Sequence, residues 1–216
     1  MPTFNGFVIA ITYVVAGKLS LLLALPPGYA SAIFPPAGIA LGAALIGGAR
    51  TLPWIFAGSL ALNLWVDLPA GAAFSNAAAG SALAIAIAST LQAEIGRRML
   101  RLSIGYPCAL DTTRDVLMLL ALAPAICLTS ASLSVMALTM LGTFSSADFP
   151  ANWVAWWVGD TLGIYIFLPI VLVIAGEPRE QWRRRRLTVA LPLLLACALS
   201  VYIFVKNSAW EQDESL

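Results

Sequence analysis

Seven stretches of this 216-residue sequence stay apolar for long enough to approach the thickness of a lipid bilayer, and nothing else in the chain restricts its fold as much. A hydrocarbon core of about 30 Å takes ~20 apolar residues at a helical rise of ~1.5 Å. The stretches lie near 5–25, 34–48, 51–67, 72–93, 115–140, 151–175 and 187–206. In lipid every backbone N–H and C=O must find its partner within the chain, so each stretch predicts a helix. The expected fold class is all-α, a polytopic membrane helix bundle of seven spans. The second and third stretches are short and separated by Gly-Gly-Ala-Arg, which predicts a tight helical hairpin. No period of about 20–50 residues repeats and no low-complexity linker divides the chain, so residues 1–216 read as one domain.

Composition agrees. Apolar residues make up 60% of the chain and charged residues 11%, against about 45–50% and about 25% in soluble domains; mean hydropathy is +0.88. The opening MPTFNGFVIAITYVV has neither a basic leader nor a small-residue cleavage site, so it reads as a first span rather than a signal peptide. There is no histidine, and the three cysteines (Cys108, Cys127, Cys197) show no paired spacing. No metal site, cofactor or disulfide framework is expected. No nucleophile–base arrangement or phosphate loop is present, which argues against an enzyme. The net charge of +1 says little about partners, and no nucleic acid is expected among them.

The basic residues set an orientation. Arg50, Arg97, Arg98, Arg101, Arg114, Arg179 and Arg183 through Arg186 supply ten of the twelve Lys and Arg residues, and all fall in loops on one side of the seven-span layout. Arginine-rich loops stay cytoplasmic, which puts the N-terminus inside and an acidic tail, 207–216, outside. The run at 183–186 reads as a topology determinant that also meets anionic lipid. Between the first two spans, LPPGYASAIFPPAG carries two proline pairs. It predicts either a loop dipping over the outer mouth of the bundle or a rigid external turn.

Polar groups inside the spans are few: Lys18, Asn63, Asn76 and Asp160. An ionisable side chain at membrane depth is expensive and calls for a partner. Lys18 stands eight residues before Pro26, ~12 Å along a helix, and Asp160 nine residues after Ala151, ~14 Å. The two therefore fall at nearly one level, and a Lys18–Asp160 ion pair is the expectation; a lone lysine snorkelling outward is the alternative. Asn63 and Asn76 fall near the same face, as pocket groups or as helix-packing hydrogen bonds. Trp156 and Trp157 flank Asp160 at helical spacing, as a pocket wall or an interfacial belt. Gly159 and Gly163 form a GxxxG pattern that permits close helix approach.

Three stretches, SLLLALPPGYASAIFPPAGIAL, STLQAEIGRRML and WWVGDTLGIYIFLPIVL, together resemble the first of the membrane-associated sensor domains, the MASE group, over roughly residues 15–175. The resemblance implies an integral membrane input domain of a bacterial signalling protein, in the cytoplasmic (inner) membrane, without catalysis of its own. Members precede a histidine kinase or a module that makes or degrades cyclic diguanylate, and they carry about eight spans. An eighth span and the cytoplasmic effector are then expected beyond this chain if it is truncated. Ser89 stands where many relatives would carry asparagine. The expected function is sensory input, and a small transporter or channel subunit is the alternative. Expected partners are the bilayer, the effector, a neighbouring membrane protein or a second copy of the chain.

Overall fold

The computed structural model describes residues 5–21, 31–66 and 76–176, followed by 178–184, 187–192, 194–195, 198–199 and 202. These residues are helical and contain no β-strand. The helices in chain order are α1 (Gly6–Leu21), α2 (Pro35–Gly47), α3 (Leu52–Val66), α4 (Asn76–Ser103), α5 (Thr113–Met140) and α6 (Phe149–Ala175). Among the described residues four helical stretches are long and apolar enough by length and composition to cross a membrane: Asn76–Ser103, Thr113–Met140, Ser146–Ala175, and Pro35–Val66, the last of which is divided between α2 and α3 by the turn Gly48–Thr51. The helix Gly6–Leu21 is apolar but has 16 residues. Most of the expected seventh span, the tail 207–216 and the first proline pair lie outside the described residues.

Local chemistry explains where the helices begin and end. Pro35 and Pro36 occupy the first turn of α2, where a missing N–H is harmless. Gly48 closes α2 at φ +71°, in the left-handed region where a side chain would be strained. The chain reverses there: Ser31 and Phe34, before α2, line the same cavity as Leu62 and Val66, at the end of α3. The expected hairpin forms, but its arms barely touch, because α1 and α4 each pack against both. Thr112 caps α5 by accepting the Asp115 N–H at 3.1 Å. At the far end of α5, Gly142 at φ +75° lets its own N–H reach the Thr139 carbonyl and the next N–H reach Leu138, a left-handed glycine stop.

Helix α4 continues two to three turns beyond the expected end near residue 93. Glu94 makes this tolerable by bridging Arg97 at 2.6 Å and Arg98 at 2.7 Å, one turn away on the same helix. Arg101, another turn on, donates to the carbonyl of Leu45 at the end of α2. The arginines expected in a loop therefore stand on helix.

Contacts fix the relative directions. Leu62 lies against Gly17 and Trp54 against Gly6, so α1 and α3 are parallel. Gly38 meets the α6 backbone at Gly163 and Leu168, and Gly42 meets Val171, so α2 and α6 are parallel. Leu41 with Gly96, and Leu45 with Arg101, align α4 with them. Helix α5 runs opposite: Trp156 reaches Ser130 while Tyr165 reaches Leu120. The described arginines consequently gather at one end of the bundle, near the close of α2, α4 and α6.

Two apolar cores share α2. One joins Leu41 and Leu45 to Leu100, Ile126, Ile164 and Leu168; the other joins Ala40 and Ala44 to Ile9, Tyr13, Ile55 and Leu62. The outward faces are equally apolar, with Phe7, Val8, Ile11, Val15 and Leu19 exposed on α1 and Leu83, Ile87 and Leu91 on α4. Apolar stripes on both the buried and the exposed side of a helix suit a lipid surround.

Proline inside α5 shows how such a bundle keeps its backbone satisfied. Pro124 has no N–H to give to Leu120. The Tyr165 hydroxyl donates to that carbonyl at 2.6 Å instead, and the Trp157 indole donates to the Pro124 carbonyl at 2.8 Å. An unpaired buried carbonyl would cost about 1–3 kcal/mol, so these two side chains also clamp α6 to α5.

Candidate functional site

Asp160 is 3% exposed and sits where α4, α5 and α6 meet. The side chains of Gln92 on α4 and Ser130 on α5 face its carboxyl group. The Ser130 oxygen in turn accepts the Trp156 indole N–H at 3.2 Å. Ser130 thus stands between the Trp156 indole and the acid. Among the described residues the Gln92 carbonyl oxygen finds no partner although the side chain is 4% exposed, and neither does the buried Ser134 hydroxyl, one turn along α5 from Ser130. Tyr13 of α1 is 1% exposed and faces Ser59 of α3 and Ser89 of α4, whose hydroxyls bond each other at 3.5 Å. Buried polar networks are stable only when paired, so each of these groups restricts how the helices can sit.

A narrow cavity, open on one side, reaches Asp160 from the end of the bundle opposite the arginines. Leu21, Phe34, Leu62, Val66 and Ile85 supply its apolar wall; Trp156, Asn63, Ser31 and Asp160 supply its polar points.

The floor beside the acid is built by glycine. The segment Ser31–Phe34 runs directly over α6: the Phe34 N–H donates to the Gly159 carbonyl at 3.0 Å. A Cβ at Gly159 would collide with the Ser31 carbonyl oxygen, and one at Gly163 with that of Phe34. The GxxxG pattern therefore seats the backbone leading into α2 as well as α2 itself.

Of the residues singled out from sequence, Asn63, Trp156 and Asp160 line one cavity, and Gly159 and Gly163 support it. Trp157 points elsewhere: it stacks on Trp153, with ring centroids 5.9 Å apart, and bonds Pro124 between α5 and α6. Asn76 is exposed at the first turn of α4 and is not among the lining residues. Lys18 does not pair with Asp160. Its ammonium lies 4.5 Å from the centre of the Trp65 ring, and the ion pairs among the described residues all involve Glu94 or Glu180. Both charges lie toward the end of the bundle opposite the arginines, but the rotation of α1 turns Lys18 to α3. A double-mutant cycle of Lys18→Met with Asp160→Asn is therefore expected to be additive within about 0.5 kcal/mol in thermal unfolding. A cycle of Lys18→Met with Trp65→Leu is expected to show coupling of about 0.5–2 kcal/mol; the opposite pattern would restore the ion pair.

Sequence reasoning missed Tyr13, Ser59, Gln92 and Ser130, because uncharged polar residues in apolar runs stand out little. Gln92 carried a signal all the same: it belongs to STLQAEIGRRML, and its neighbour Ser89 had been noted only as a departure. In space that stretch meets WWVGDTLG at Asp160, and WWVGDTLG meets FPPAG at Gly159 and Gly163. The three stretches that carry the family resemblance form one site.

An all-helical bundle with apolar outward faces, and a buried acid beside an open cavity, has the make-up of a membrane domain. The chain belongs to the MASE1 family of membrane-associated sensor domains, whose family model matches residues 6–209. No curated protein and no solved structure matches it.

Proposed function

We propose that this domain is the sensory input module of a bacterial signal-transduction protein in the cytoplasmic membrane, regulating a histidine kinase or a cyclic-diguanylate module. In this reading the chain crosses the membrane seven times within its length, with its N-terminus and arginine-rich end inside and the cavity opening toward the outer face. The observation that carries it is the position of the cavity. It touches the end of α1, the start of α2, the end of α3 and the first halves of α4 and α6. Helices α2, α4 and α6 lead from it to the arginine end, so a change in their packing around Asp160 would move the inner ends where an effector attaches. A two-state rearrangement of the Asp160–Gln92–Ser130 contacts is the switching element this requires.

The test uses the full-length protein in its native membrane, with effector output and membrane abundance measured together. Asp160→Asn is expected to change output about fivefold or more at unchanged abundance. Unchanged output with unchanged abundance would remove Asp160 from signalling. In the same cells a cysteine replacing Asp148 should react with an impermeant maleimide, and one replacing Gln181 should react only after lysis; the reverse would invert the orientation.

A further inference from the structure

The cavity has one formal charge in its wall and no counter-charge. Asp160 is in none of the ion pairs formed by the described residues, and the lysine nearest in depth is committed to Trp65. Gln92 and Ser130 face the carboxylate but bring no positive charge. The rest of the wall is apolar or aromatic, with Phe34 and Trp156 both at the cavity surface. Buried acids are held by a cation, by a proton or by hydrogen bonds, and a cation supplied from outside gains most where the protein offers none. Aromatic faces add attraction for a cationic head, and the apolar wall takes an alkyl or aryl body.

We infer that the cavity binds a small amphipathic amine, its ammonium directed at Asp160 and its apolar body lying along Leu21, Phe34, Leu62, Val66 and Ile85. Asn63, whose amide already donates to the Ser59 carbonyl at 2.8 Å, is fixed at the cavity wall and gives the head a second polar contact. Selectivity follows from charge. A neutral isostere keeps the apolar contacts and loses the ion pair, and an anionic one meets repulsion from the carboxylate. The inference rests on the sensory reading of the site, but the two can fail separately.

The experiment titrates the purified full-length protein in nanodiscs at neutral pH with n-heptylamine, n-heptanol and heptanoate, following thermal unfolding and Trp fluorescence. Heptylamine is expected to raise the unfolding temperature at concentrations about tenfold or more below those heptanol needs, the ratio that one modest ion pair supplies. Heptanoate should give no shift. Asp160→Asn should reduce the amine to the level of the alcohol. Val66→Trp, which fills the cavity from a partly exposed position and keeps the acid, should abolish the amine response; this variant decides the matter if Asp160→Asn does not fold. Equal responses to amine and alcohol, or an amine response that survives in Val66→Trp, would overturn the inference. If amine binds but effector output does not change, the ligand assignment stands and the sensory reading falls. If Asp160→Asn alters output but no amine binds, the sensory reading stands and the ligand assignment falls.

Discussion

A Gly163→Ala protein is expected to lose about 1–3 kcal/mol of stability, although alanine is the better helix former by about 1 kcal/mol. The added methyl would enter the carbonyl oxygen of Phe34. That oxygen cannot simply turn away. It accepts the Ala37 N–H at 3.1 Å, and the N–H of the same residue is bound to Gly159 at 3.0 Å. Relief therefore requires the segment entering α2 to lift from α6, and α2 is the helix both cores share. Gly80→Ala is the control, because a Cβ there finds only ordinary contacts with Leu141 side-chain atoms at 3.5 Å and beyond. Thermal unfolding of the purified protein separates the two. Equal unfolding temperatures for both variants would mean that the floor of the cavity is looser than the backbone contacts indicate.

The second large effect is expected at Asp160. Replacement by alanine removes the carboxyl group that Gln92 and Ser130 face, and a buried polar group left unpaired costs about 1–3 kcal/mol. Because Ser130 also holds the Trp156 indole, the loss should spread to the α5–α6 contact. Asparagine keeps one acceptor oxygen in nearly the same place, so Asp160→Asn should retain most of the folded protein that Asp160→Ala loses. Recovery of monodisperse protein from membranes, together with the denaturant midpoint, measures this. Equal recovery of the two variants would show that the carboxylate's hydrogen bonds contribute little to assembly.

The sequence spoke clearly where one chemical property dominates a stretch. Helices α5 and α6 appear within a few residues of the apolar runs, as does the start of α4, since backbone in lipid has few other ways to pair. The reversal near Gly48 and the start of α2 at Pro35 were equally plain, because glycine and proline act through their own backbones. The extension of α4 to Ser103 was hidden because charged residues read as loop until Glu94 is seen to pair with Arg97 and Arg98. Of the site, Asp160, Trp156, Asn63 and the two glycines were visible as polar or small exceptions in apolar runs. Gln92, Ser130 and Tyr13 were not, since each is unremarkable until its neighbour across the bundle is known.

What the sequence determined alone was class, helix position and depth. Hydropathy fixes which residues avoid water, and the helical rise converts spacing into distance along the membrane normal. What only the tertiary structure decided was azimuth. Lys18 and Asp160 share a level, yet packing of Gly17 against Leu62 and of Tyr13 against Gly58 turns α1 toward α3 and leaves Lys18 over Trp65. Rotation about a helix axis is set by which side chains interlock with neighbouring helices, and in an environment as apolar as the helices themselves that choice depends on shape rather than on hydrophobicity. For this reason the acid was legible as a site, and its partners were not.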